Sequence, residues 1–177
     1  MKTYIVLLRG INVGGHRKVP MTELREILSQ AGFVSVKTYI QSGNVILQSS
    51  FSEPVKIKNS IQKLIKDHLG FDVPVLVKSR KELQRIFDDC PFPDTKKQQA
   101  YFVLLRDTPK QELVTKASEK TYQNDEYVIL NDCIYLFASK GFGQSKFNMN
   151  FFERNLETSA TARNYKTMLK LLSLSSD

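Results

Sequence analysis

A chain of 177 residues with 41% hydrophobic and 25% charged side chains suits one large or two small packed domains. No stretch approaches the ~20 consecutive apolar residues of a membrane span, and the apolar run from Tyr4 to Leu8 is shorter than a signal-peptide core, so a cytoplasmic protein is expected. The formal net charge of +8 is uneven: residues 1–50 carry six basic and two acidic side chains, residues 139–177 six and three, and residues 101–138 four and six. A local basic excess fits phosphate or nucleic-acid partners, and it also fits a solubilising surface.

In chain order, Thr3–Arg9 reads as a buried strand. Pro20 suits a first helical position, and Met21, Leu24, Ile27, Leu28 and Ala31 recur at helical spacing before Gly32 ends the run. Residues 34–41 and 44–48 are strands joined at Ser42-Gly43. A helix follows from about Ser52 to Leu69, with Ile57, Ile61, Leu64, Ile65 and Leu69 on one face and Gly70 as its stop. Val73–Val77 is a fourth strand. The order β-α-β-β-α-β is that of a ferredoxin-like unit.

The pattern then restarts, with "YFVLLR" at 101–106 echoing "YIVLLR" at 4–9. Thr108-Pro109 with Gln111 marks a helix start, and 127–137 a hairpin turning at Asn131-Asp132. Helices are expected from Ser145 to about Leu156 and from Thr161 to about Leu172, with no closing strand evident. The fold class is therefore α+β, two ferredoxin-like βαββαβ-type subdomains, the second ending in helices. Expected boundaries are 1–79 for the first subdomain, 80–100 for a short helix and linker, and 101–177 for the second. Ser79 and Glu82 form a capping box for that short helix, and residues 90–99 hold two prolines and a polar run.

Four loops could carry chemistry. In "LLRGINVGGHRKVPM" (7–21), Gly10, Gly14 and Gly15 free the backbone while Arg9, Arg17 and Lys18 supply charge beside a helix start, the arrangement of a phosphate cradle. Its spacing is neither a dinucleotide fingerprint nor a Walker loop, and a plain connection that needs glycines to turn is the competing reading. In "SKGFGQSKF" (139–147), two glycines precede Ser145 and Lys146 at an expected helix start. This stretch resembles an RNA-recognition signature but has Gln144 and Ser145 where that motif needs Phe and Val. In "TSATARNYKT" (158–167), Thr161 is the expected cap, which sets Arg163 and Asn164 in a first helical turn, where an anion or a nearby carboxylate would offset the arginine. In "QSGNV" (41–45), a hairpin turn explains Ser42 and Gly43, and Asn44 could meet a ligand.

These motifs together, "LLRGINVGGHRKVPMTELR", "YIQSGNVI" and "GQSK…TARNYKT…L", resemble the family of small bacterial proteins known as domain of unknown function 1697, over Met1 to about Leu172. Ala162 and Tyr165 depart from that family's usual Thr-Thr-Arg-Asn-Trp. The resemblance implies ferredoxin-like units and a signature at Arg9, Gly10, Asn12, Gly14, Gly15, Lys18, Ser42, Gly43, Asn44, Ser145, Lys146, Arg163 and Asn164; it implies no reaction.

The preferred expectation is a binding module for a phosphate-bearing ligand, with nucleic acid favoured by charge. Arg9, Lys18, Lys146 and Arg163 would meet phosphates, Asn12 and Asn44 would orient the ligand, and the separated segments would share one hollow. Two alternatives stand beside it. One is an enzyme on a small phosphorylated or nucleotide substrate, with His16 or Lys146 in acid-base work. The other is a structural or homo-oligomerising protein. Cys90 and Cys133 lack metal-ligand spacing, no nucleophile-base pair is evident, and neither a metal nor a cofactor is expected.

Overall fold

In the computed structural model, which describes residues 1–176, the opening aliphatic run forms β1 (Lys2–Leu8). It is followed by α1 (Met21–Gln30), β2 (Val34–Tyr39), β3 (Asn44–Ser49), α2 (Pro54–Leu69) and β4 (Val75–Ser79). The chain continues through α3 (Arg80–Asp88), α4 (Asp94–Lys97), β5 (Tyr101–Leu105), α5 (Gln111–Ala117), β6 (Asp125–Leu130) and β7 (Cys133–Ala138). A 3-10 turn at Phe142–Gln144, then α6 (Met149–Asn155), β8 (Ala160–Asn164) and α7 (Tyr165–Leu174) complete it. Two compact units result. One holds Met1–Leu83 and the residues from Leu171 onward; the other holds Gln84–Lys170.

The first unit is a four-stranded sheet in the order β2-β3-β1-β4, each strand antiparallel to its neighbours, with Ile5 opposite Ile46 and Val6 opposite Val77. Period-two alternation sends Tyr4, Val6 and Leu8 to one face, where they join Val45 and Leu47. The helical stripes of α1 (Leu24, Leu28) and α2 (Ile57, Ile61, Ile65) cover that face. Ile5, Leu7, Ile46 and Leu76 on the opposite face are also buried, which explains why β1 reads as a continuous apolar run. The second unit repeats the order as β6-β7-β5-β8, so the six-letter echo falls on equivalent inner strands. Its core gathers Val103, Leu105, Ile134, Phe152 and Leu156, with Phe147 stacked on Phe152 at 4.7 Å between centroids.

Three expected elements are corrected. The segment 160–164 is not the start of a helix but the closing strand β8, with Thr161 opposite Leu104 and Arg163 opposite Phe102. Ala and Arg favour helix, yet the free edge of β5 carries N–H and C=O groups that must be paired, and that tertiary demand prevails. Asn164 takes the capping role expected of Thr161: its Oδ1 accepts from the Thr167 N–H at 2.9 Å, and α7 begins one turn later. Finally, Ser145 does not open a helix. It follows the 3-10 turn in extended backbone, and α6 starts at Met149 behind the cap Asn148.

Candidate functional site

The loop between β1 and α1 folds as a small hairpin of its own. The Asn12 N–H donates to the Arg17 carbonyl at 3.1 Å and the His16 N–H to the Val13 carbonyl at 3.1 Å. At its tip, Gly14 and Gly15 have φ of 59° and 77°, the two positive values that a type I′ turn requires of its central pair. Asn12 holds the base. Its Nδ2 donates to the Val19 carbonyl at 3.0 Å and to the Gln41 carbonyl at 2.8 Å, while its Oδ1 accepts from the Val19 N–H at 2.8 Å. Asn12 sits at φ 55°, a left-handed conformation that asparagine tolerates better than most residues.

The turn between β2 and β3 stands directly against this hairpin. The Leu8 N–H donates to the Gly43 carbonyl at 2.8 Å. A Cβ on Gly43 would come within 2.6 Å of Leu8 Cβ and 2.9 Å of Ile11 Cδ1, so this position admits only glycine. Asn44 is fully buried, with Nδ2 donating to the Tyr39 carbonyl at 3.1 Å and to Ser42 Oγ at 2.9 Å. The amides of Asn12 and Asn44 are thus engaged in building the two loops. They hold the platform together.

What the platform displays is cationic. Val13 through Lys18 are exposed, and Arg9 at the end of β1 is half-buried. The Arg17 guanidinium folds back over Gly10, its Nη1 3.5 Å from where a Cβ there would stand. Among the described residues, Arg17 and Lys18 join no salt bridge. The sequence explains this: no Asp or Glu occurs before Glu23, and none between Glu26 and Glu53. Residues 1–83 carry 13 basic against 6 acidic side chains, whereas residues 84–170 carry 13 against 11. Helix α1 begins beside these cations, and Pro20 at its cap position offers no side-chain acceptor to its first N–H groups. Sequence reasoning overlooked Val13 and Ile40, exposed at 68% and 51%; the signal available was a valine set beside a glycine pair.

In the second unit, the other expected residues lie at one end of the sheet. Tyr101 pairs with Asn164 there, and the loop after β7 brings Phe142 onto Tyr101 at 4.4 Å between ring centroids. Ser145 Oγ donates to Asp125 Oδ2 at 2.7 Å and accepts from the Phe147 N–H, so its hydroxyl is engaged, while Lys146 is exposed. Arg163 is buried at 8% exposure, and loss of solvation lowers its pKa to about 10. Its Nη1 donates to Thr161 Oγ1 and to the Ala162 carbonyl, both at 2.8 Å. The equivalent of the hairpin loop is a short connection here, where Arg106 pairs with Asp107 at 2.6 Å. A shallow groove of about 500 Å3 runs along edge strand β6 past Lys120, Tyr122 and Tyr127.

Among the described residues, no three His, Cys, Asp or Glu side chains cluster as metal ligands would, and no helix is long and apolar enough to cross a membrane. No curated protein matches the sequence. Among solved structures, the chain is similar to the conserved bacterial protein SP0830 from Streptococcus pneumoniae, with a TM-score of 0.77, 23% identity and 98% of each chain covered. At that identity the likeness establishes the fold. The family model of a protein of unknown function, DUF1697, matches residues 1–135, which takes in both loops of the first unit but not Ser145, Lys146, Arg163 or Asn164. With three quarters of its length so matched, the chain belongs to the DUF1697 family of proteins of unknown function.

Proposed function

We propose that the first unit binds a phosphate-bearing polyanion, nucleic acid being the favoured class, on the surface made by residues 9–19 and the turn at 40–43. One observation carries this reading: a hairpin pinned at its base by Asn12 holds Arg17 and Lys18 exposed in a stretch of chain without a carboxylate. The backbone that carries these side chains is ordered before binding, so less loop entropy is lost when a phosphate arrives. Arg17 brings a planar fork of donors and Lys18 a point charge, a pairing suited to phosphate oxygens. Arg9 and the first N–H groups of α1 stand alongside. Ser145 and Arg163 are left out of this reading because the Ser145 hydroxyl and Arg163 Nη1 are engaged within the second unit and Arg163 is buried. Asn164 is left out because it caps α7, while Lys146 remains as a further exposed cation.

Each phosphate neutralised contributes ~0.7–0.9 to the slope of log affinity against log salt, so Arg9, Arg17 and Lys18 together predict a slope of roughly −2 to −3. Titrating labelled oligonucleotides at two salt concentrations measures it. The double variant Arg17→Ala/Lys18→Ala should flatten the slope by about 1.5–2 without moving the melting temperature. Undetectable binding at low salt, or an unchanged slope in the variant, would refute the reading.

A further inference from the structure

The shape of the hairpin says which polyanion it fits. We infer that residues Val13–His16 form a finger that enters the major groove of B-form duplex DNA, an inference that rests on the polyanion reading above.

Two dimensions support it. Val13 and His16 are a single bridged pair closing a tight turn; paired backbones lie ~4.8 Å apart, which makes the hairpin roughly 10 Å wide with its atomic envelope. The B-DNA major groove, about 12 Å wide and 8.5 Å deep, admits a β-element of that width, whereas the minor groove at about 6 Å does not. Beyond its anchor at Asn12, the hairpin runs two residues to its tip, a reach of roughly 7 Å at ~3.3 Å per residue. The tip itself is slim: nothing lies within 4 Å of a Cβ on Gly15.

The chemistry agrees with the dimensions. Val13, one residue before the tip, is 68% exposed, and inside a groove its apolar side chain would meet base edges or a thymine methyl. Arg17 and Lys18, which follow His16 on the returning limb, would face the phosphates flanking that groove. None of Val13–Lys18 is Phe, Tyr or Trp, and the single imidazole of His16 does not make the succession of aromatic platforms on which proteins hold single strands. A-form RNA is a poor fit as well, because its major groove is deep and too narrow for such an element.

The experiment uses the full chain with four probes of matched length: duplex DNA, duplex RNA, single-stranded DNA and heparin. The expected result is an affinity for duplex DNA about tenfold above that for duplex RNA or the single strand at equal salt. At saturation, guanine N7 should be protected from dimethyl sulfate, and the minor-groove ligand distamycin should not compete. Val13→Ser, a change on an exposed tip, should weaken duplex DNA binding by about fivefold and leave heparin binding unchanged. Equal affinity for all four probes, or N7 fully reactive at saturation, overturns the groove inference while leaving polyanion binding intact. Competition by distamycin overturns it too. Failure of every probe to bind removes the underlying reading, and this inference with it.

Discussion

Replacing Asn12 by glycine tests the pin on which the hairpin depends. Val19 is 1% exposed, so its N–H and C=O, bonded to Asn12 at 2.8 and 3.0 Å, lie where water cannot replace the lost partner. The third bond goes to the carbonyl of exposed Gln41, which water can satisfy. Two stranded buried groups cost about 2–3 kcal/mol in all. Asn12→Ala should cost about 1 kcal/mol more, because a Cβ is strained at φ 55° and alanine lacks the local hydrogen bond that lets asparagine sit there. At ~2–4 °C per kcal/mol for a chain of this size, the glycine variant should melt roughly 5–10 °C lower. Where the loop opens locally instead, the melting temperature moves less and amide exchange at Val19 rises by about 30-fold, the equivalent of 2 kcal/mol. Thermal melts with hydrogen exchange at Val19 read both outcomes. Both variants falling within about 0.5 kcal/mol of the parent, with Val19 exchange unchanged, would show that Asn12 is not the pin.

Gly43→Ala places a methyl 2.6 Å from Leu8 Cβ at φ 79°, and denaturant melts should show a loss of about 3 kcal/mol. Gly15→Ala has the same sign of φ but open space around it, and should lose only about 1 kcal/mol. Asn164→Ala removes the bond that caps α7 and should cost about 1 kcal/mol by the same assay; no loss would return the cap to Thr161. Tyr135 donates its hydroxyl proton to the Ile86 carbonyl at 2.7 Å, and burial raises its pKa well above 10. The folded state therefore keeps that proton while the unfolded chain releases it near pH 10, so stability from this group is full below pH 10 and is lost as pH rises. Tyr135→Phe should be about 1–2 kcal/mol less stable at neutral pH, for the unpaired carbonyl. Between pH 10 and 11 the gap should narrow by about 1 kcal/mol, because the unfolded tyrosine is already half ionised at pH 10; a constant gap in urea melts at the two pH values would contradict the assignment.

Position in the chain had little to do with which residues matter at the platform. Arg17 and Lys18 were legible as cations of a glycine-rich loop, because charge and backbone freedom are properties of the residues themselves. Asn12 and Asn44 were not legible as structural, since an amide at a loop edge can face a ligand or a backbone carbonyl, and only the approach of Gln41, Val19 and Tyr39 decides between them. Arg163 shows the same limit. In sequence it falls in the first turn of the helix expected from Thr161, and in the fold it is a strand residue opposite Phe102.

Local patterning by itself determined the first βαββαβ half and the βαββα part of the second: alternating or continuous apolar runs specify strands, 3.6-residue stripes specify helices, and both signals reside in a few neighbouring residues. Tertiary structure alone decided the closing strand β8 and the packing of the 40–43 turn against the β1–α1 hairpin. Each depends on partners far along the chain, Ala160–Asn164 on the edge of β5 and Gly43 on Leu8 and Ile11, and no window of neighbouring residues contains that information.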